Sequence, residues 1–113
     1  MLKRQIFIID NYRINLFILN EYLKDDFKVE LFQDSTGCIS RMHHECPEIV
    51  LLNCESDDEN AENIKKIFPN VKIIGTTATY HKEDYDKYFK RGIKHIIVKP
   101  IYKQALMSCI VNA

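Results

Sequence analysis

The chain has 113 residues, enough for one domain that buries a usable core without a metal or disulfide staple. Its composition, 46% hydrophobic and 28% charged, is that of a folded domain and excludes a disordered tail. Lys plus Arg and Asp plus Glu stand at 16 each, so the basic footprint of a nucleic-acid binder is missing and no DNA or RNA contact by this domain is expected.

No apolar run approaches the roughly 18 to 20 residues that cross a bilayer, so no membrane partner is expected. The apolar run that follows Met1-Leu2-Lys3-Arg4-Gln5 stops at Asp10 and leads to no small-residue cleavage site, which reads as a cytoplasmic protein. Cys38, Cys46, Cys54 and Cys109 form no CxxC pair and read as reduced thiols, some of them core residues.

Ile6-Phe7-Ile8-Ile9 is a β-branched apolar run ended by Asp10-Asn11, and it predicts a buried strand. Over residues 13–25, Ile14, Phe17, Ile18 and Tyr22, with Leu19 and Leu23 beside them, recur at helical spacing and predict an amphipathic helix. Residues 28–32 give a second strand, interrupted by Glu30. Asp34-Ser35-Thr36 offers caps for a helix whose stripe is Cys38, Ile39 and Met42, before Pro47. Ile49-Val50-Leu51-Leu52 is a third strand, ended by Asn53. Ser56-Asp57-Asp58-Glu59 suits the dipole of a helix start, with the helix running to about Phe68 and Pro69-Asn70 turning the chain.

A fourth strand spans residues 71–75 and is ended by Thr76-Thr77; a tyrosine-rich helix over residues 82–91 is closed by Gly92. A fifth strand over residues 93–98 runs into Lys99-Pro100, and a last helix covers residues 102–111. Five β-α units with apolar strands imply a flavodoxin-like (βα)5 fold: a doubly wound five-stranded parallel sheet in a three-layer α/β/α sandwich. Polar groups then gather in the crevice at the carboxyl ends of the strands, from Asp10-Asn11, Asn53, Thr76-Thr77 and Lys99.

These residues carry a resemblance. Ile6-Phe7-Ile8-Ile9-Asp10-Asn11 resembles the first strand and acidic loop of response-regulator receiver (CheY-like) domains. Ile49-Val50-Leu51-Leu52-Asn53 resembles their third strand and phospho-accepting aspartate; Ile73-Ile74-Gly75-Thr76-Thr77-Ala78 resembles the fourth strand with its switch hydroxyl; Ile96-Ile97-Val98-Lys99-Pro100 resembles the fifth strand and its lysine. The resemblance spans almost the whole chain, 1–113, as one receiver-like domain. It implies a carboxylate that takes a phosphoryl group, acids in the first loop that hold Mg²⁺, and a lysine and a hydroxyl that contact the phosphoryl oxygens.

The sequence departs from that pattern in four places. Asn53 stands in the acceptor position, and an amide is no nucleophile for phosphoryl transfer. Asn11 replaces the second acid of the loop, which predicts weak or absent Mg²⁺ binding and no other cofactor. The stretch between Asn53 and Thr77 is shortened. Ile96 stands where a switch aromatic is usual. The implied protein is a degenerate receiver of a two-component phosphorelay, not an enzyme, acting by contact with a histidine kinase, an output protein or another receiver. A homodimer through the fourth helix, fifth strand and last helix is a further expectation, with Tyr80, Tyr85 and Tyr88 either packing against the fourth helix or lining its surface. Lys99 and Asp10 are expected to pair across the crevice.

Two alternatives stand beside this reading. One is a receiver that accepts phosphate on Asp10 or Asp57, or one whose acceptor was deliberately replaced by Asn53. The other is a small flavodoxin-like enzyme or ligand-binding domain, disfavoured because Gly37, Gly75 and Gly92 make no phosphate loop. Each residue also has a less favoured plain reading: Asp10 as a helix cap, Lys99 as a surface lysine and Asn53 as a turn residue, and all would have to hold together at the strand ends. His43, His44 and Cys46 do not suit one metal ion, because adjacent helix residues point about 100° apart. Asp57, Asp58 and Glu59 read as a solvated helix start, with Glu55, Asp57 or Asp58 as the substitutes should a metal bind.

Overall fold

The computed structural model describes residues 3–79 and 81–113; Met1, Leu2 and Tyr80, with the reading of Tyr80 as part of an aromatic face, lie outside the described residues. The elements run β1 (Gln5–Ile9), α1 (Arg13–Leu23), β2 (Lys28–Phe32), α2 (Ser35–Met42), β3 (Ile49–Asn53), α3 (Cys54–Ile67), β4 (Lys72–Thr77), α4 (Lys82–Lys90), β5 (His95–Val98) and α5 (Lys103–Asn112). All pairings are parallel and the strand order is β2-β1-β3-β4-β5. This is the flavodoxin-like doubly wound fold.

Alternation along the strands sorts the core into two layers. Ile6 and Ile8 of β1 and Ile49 and Leu51 of β3 pack on Leu16, Leu19 and Leu23 of α1 and Leu106 and Ile110 of α5. Phe7, Ile9, Val50 and Leu52 face the other way, toward Cys38 and Met42 of α2, Ala61 and Ile64 of α3 and Tyr88 of α4. Each such fully buried side chain contributes about 1.5–3 kcal/mol of transfer free energy, which is why the polar residues of β1, β3 and β4 stand at the strand ends.

Three local readings need correction. The buried face of α1 is Leu16, Leu19 and Leu23, whereas Ile14, Phe17 and Ile18 are exposed. Apolar residues occur on more than one side of α1, and periodicity alone did not decide which stripe meets the sheet. Tyr88 is buried in the core and the Tyr85 hydroxyl donates to the Thr79 carbonyl at 3.0 Å, so neither makes a free aromatic face on α4. Finally, α3 starts at Cys54, directly after β3, and not at Ser56. Asn53 causes this: its backbone stays extended while its side-chain oxygen accepts the Glu55 N–H at 3.2 Å, capping the helix.

Gly75 permits that abrupt start. A Cβ there would collide with the Cys54 sulfur and lie 2.8 Å from Ile93 Cγ2. At the far end of the same layer, Gly92 takes φ +98° and closes α4, its N–H donating to the Phe89 carbonyl at 3.1 Å. Gly75→Ala should therefore lower stability by roughly 1–3 kcal/mol, as overpacking does. Cys54→Ala in the same chain should recover part of the loss, and urea denaturation of the two single variants and the double variant measures both effects.

Candidate functional site

Parallel pairing brings the carboxyl ends of β1, β3, β4 and β5 together. The register sets Asn53 beside Thr76 and Thr77 beside Val98. Backbone bonds extend the sheet into the crevice: Asp10 N–H donates to the Phe32 carbonyl at 3.0 Å and Lys99 N–H to the Thr77 carbonyl at 2.7 Å. The Lys99–Pro100 peptide bond is cis.

On the β1 side, Asp10 is buried, 1% exposed, yet its ligands are neutral. Its carboxylate accepts from Tyr12 N–H at 2.9 Å, Asn15 Nδ2 at 3.1 Å and Asn53 Nδ2 at 3.4 Å. Amide donors of this kind hold an anion in place without a counter-ion. Asn11 is exposed at the rim.

On the β5 side the expected pair is not formed. Lys99 Nζ donates to Asn53 Oδ1 at 3.0 Å and to Glu55 Oε1 at 3.2 Å, and its ion pair is with Glu55, not Asp10. The direct passage from β3 into α3 puts Glu55 in the first helical turn, where its side chain reaches the ends of β4 and β5. The same carboxylate accepts from the Thr77 hydroxyl and from Ala78 N–H at 3.0 Å. Asn53, also only 1% exposed, stands between the two halves, donating to the anion and accepting from the cation.

The sequence therefore brought Asp10, Asn53, Thr77 and Lys99 to one place and left Asn11 at the edge. It missed Glu55 as a central residue, naming it only as a fallback metal ligand. The available signal was an acid two residues beyond a strand-ending Asn with no loop between. Ile96 is half-buried and packs against the α2–α3–α4 layer of the core. Thr76 donates toward the Leu52 carbonyl at 3.5 Å.

Of the three acids read as a solvated helix start, Glu59 is exposed, but Asp57 and Asp58 are not. Asp58 pairs with Arg91 at 2.7 Å and Lys87 at 3.6 Å, tying α3 to α4. Asp57 is buried, accepting from Ser56 Oγ at 2.8 Å and Asn60 Nδ2 at 3.4 Å. Burial, reinforced by the charges of Asp10 and Asp34, pushes its carboxyl above the usual range. Burial also pushes the Cys54 and Cys38 thiols up to about 12, which suits inert core thiols.

A Mg²⁺ site fits these residues poorly. A hard dication needs several free carboxylate oxygens, but among the described residues the crevice carboxylates are already engaged: both Asp10 oxygens accept N–H groups, and both Glu55 oxygens accept from Lys99, Thr77 or Ala78. The Asn53 oxygen faces an ammonium. Beside the crevice, a cavity of ≈ 350 Å³ opens between α1 and the start of α5, lined by Asp10, Asn15, Leu19, Tyr22, Lys99 and Ile101 among others.

A doubly wound parallel domain with an acid, a hydroxyl and a lysine at its strand ends defines a class of signalling fold. The Response regulator receiver domain family matches residues 6–111, and the chain belongs to that family. No curated protein sequence matches it. Among solved structures it is similar to a receiver domain protein (CheY-like) from Methanospirillum hungatei JF-1, with TM-score 0.88 and 20% identity, covering 97% of this chain and 92% of that one. A response regulator from Thermotoga maritima gives TM-score 0.89 and 21% identity over 98% and 97% of the two chains. The signal receiver domain of an HD domain-containing protein from Pseudomonas fluorescens Pf-5 gives 0.89 and 17% over 98% and 94%. At these identities the likeness concerns the fold.

Two measurements follow from the geometry. In double-mutant cycles, Lys99→Met and Glu55→Gln should couple by roughly 0.5–1 kcal/mol, while Lys99→Met and Asp10→Asn, which are linked only through Asn53, should couple less than that pair. Asp57, with its folded-state pKa raised above the ordinary 3.8, binds its proton more tightly in the folded state. Its ionisation therefore costs stability, a cost absent below the unfolded value and complete above the folded one. Asp57→Asn should raise the urea midpoint at pH 7, with the gain vanishing as pH falls through the carboxylate range.

Proposed function

We propose that this receiver domain, a single unit over residues 1–113, works without phosphorylation at the usual site, with Asn53 in the acceptor position. The observation that carries the reading is the Asn53 amide itself, buried and engaged on both sides by Asp10 and Lys99. An aspartate there would face Asp10 with like charge and would need a metal to offset it; the amide needs none. Asn11 at the rim, and crevice carboxylates whose oxygens already accept donors of the chain itself, support weak or absent Mg²⁺ binding, with no other cofactor and no catalytic role. The hydrogen bonds that hold Asp10, and the burial of Asp57, count against either as a substitute acceptor.

Output in this reading is protein–protein contact, in the cytoplasm, with a kinase, an output protein or another receiver. The α4–β5–α5 face, with Phe89 exposed on α4, is one candidate surface and the one a homodimer would use. The exposed Tyr12, Ile14, Phe17 and Ile18 at the start of α1, with Tyr102 across the cavity from Ile18, favour a second apolar contact on the layer that α1 shares with α5.

Intact-mass spectrometry after incubation with Mg²⁺ and acetyl phosphate tests the reading. The parent chain should gain no phosphoryl group, and a stoichiometric adduct would defeat it. Mg²⁺ at about 10 mM should leave the melting temperature of the parent unchanged, yet raise that of Asn53→Asp, whose paired carboxylates need a cation.

A further inference from the structure

Glu55 gathers three donors on the β4–β5 side of the crevice. Lys99 Nζ, Thr77 Oγ1 and Ala78 N–H come from the ends of two strands, and all three meet one carboxylate. A cation, a hydroxyl and a backbone amide converging on one point form an oxyanion site. Here the oxyanion belongs to the chain itself.

The contact does not end at Thr77. The Thr77 oxygen that donates to Glu55 also accepts from Thr79 N–H at 3.2 Å. Thr79 Oγ1 in turn accepts from His81 N–H at 3.1 Å and donates to Asp84 Oδ2 at 2.9 Å, while Tyr85 OH donates to the Thr79 carbonyl. A continuous series of hydrogen bonds thus runs from the Glu55 carboxylate to the first turn of α4.

We propose that Glu55 is a built-in anion that fills an oxyanion site made by Lys99, Thr77 and the Ala78 amide, and so holds Ala78, Thr79 and the first turn of α4 through that series of hydrogen bonds. The inference rests on the reading that Asn53 accepts no phosphoryl group, because a phosphoryl group on residue 53 would claim the same donors. It adds a definite consequence: the site is complete but closed to outside ligands, and removing Glu55 opens it to a small tetrahedral oxyanion such as inorganic phosphate. A latch of this kind makes the α4 surface independent of any kinase, since the anion that orders it is never removed.

The test is a titration of inorganic phosphate into the full chain, followed by NMR at the amides of Ala78, Thr79 and His81. The parent should not respond. Glu55→Ala should show shifted resonances at these amides without phosphate, and a saturable response with Kd on the order of millimolar as phosphate is added. Adding Lys99→Met to that variant should abolish the response. Should Glu55→Ala fail to fold, Glu55→Gln keeps the size and removes the charge, and it should bind phosphate at least about tenfold more tightly than the parent. A parent that binds phosphate as well as the variants, or folded variants whose three amides neither shift nor respond, would overturn the proposal. Phosphate binding and acetyl-phosphate transfer are separate readouts, so an adduct in the mass experiment would reject the functional reading while these amides report on the latch alone.

Discussion

Lys99 is anchored at the crevice by its backbone. Its backbone N–H is bonded to Thr77 at the end of β4, so its stem is held at the meeting point of three strands, and its ammonium is only partly open to water. A charge in that position requires an anion or several polar acceptors, because its desolvation is otherwise uncompensated. Asn53 supplies one acceptor and no charge. Glu55 supplies the charge, and it reaches Lys99 because α3 starts one residue after Asn53. That start in turn needs the Asn53 cap and a Gly75 without a side chain, so the neutralisation of one lysine links the cap, the missing loop and the glycine of β4.

The crevice is divided electrostatically as a result. Asp10 is satisfied by amides and Lys99 by Glu55, and the two do not meet. Asn53 can stand between them because an amide carries its donor and its acceptor on separate atoms, Nδ2 toward Asp10 and Oδ1 toward Lys99. A carboxylate could serve Lys99 but not Asp10, and an ammonium the reverse. The chemistry of this position therefore favours a fixed polar network over an exchangeable phosphoryl group, since every hydrogen-bonding group in the crevice already has a partner of the right polarity.

Much of this was legible in the sequence. Uninterrupted apolar runs at residues 6–9 and 49–52, alternating with helical periodicity, carry the parallel sheet, and the polar residues after each run mark the crevice before any side chain is placed. Pairing was harder. The pattern places Asp10, Lys99 and Asn53 near one another, but which anion the lysine takes depends on where α3 begins, and that hinges on a single side-chain hydrogen bond from Asn53. Asp57 and Asp58 read as solvated because acids at helix starts usually are; Asp58 instead meets Arg91 and Lys87 from α4, a contact 29 to 33 residues away that local sequence does not encode. On α1, Ile14, Phe17 and Ile18 look like core residues by hydropathy, and only the packing of Leu16, Leu19 and Leu23 shows that they are not.

The most direct measurement is a crystal structure of the unmodified chain grown in the presence of inorganic phosphate. Glu55 should lie within hydrogen-bond distance of Lys99 Nζ, Thr77 Oγ1 and the Ala78 amide, with no anion bound between them. A Glu55 side chain turned to solvent, with phosphate seated on Lys99 and Thr77, would contradict the central claim.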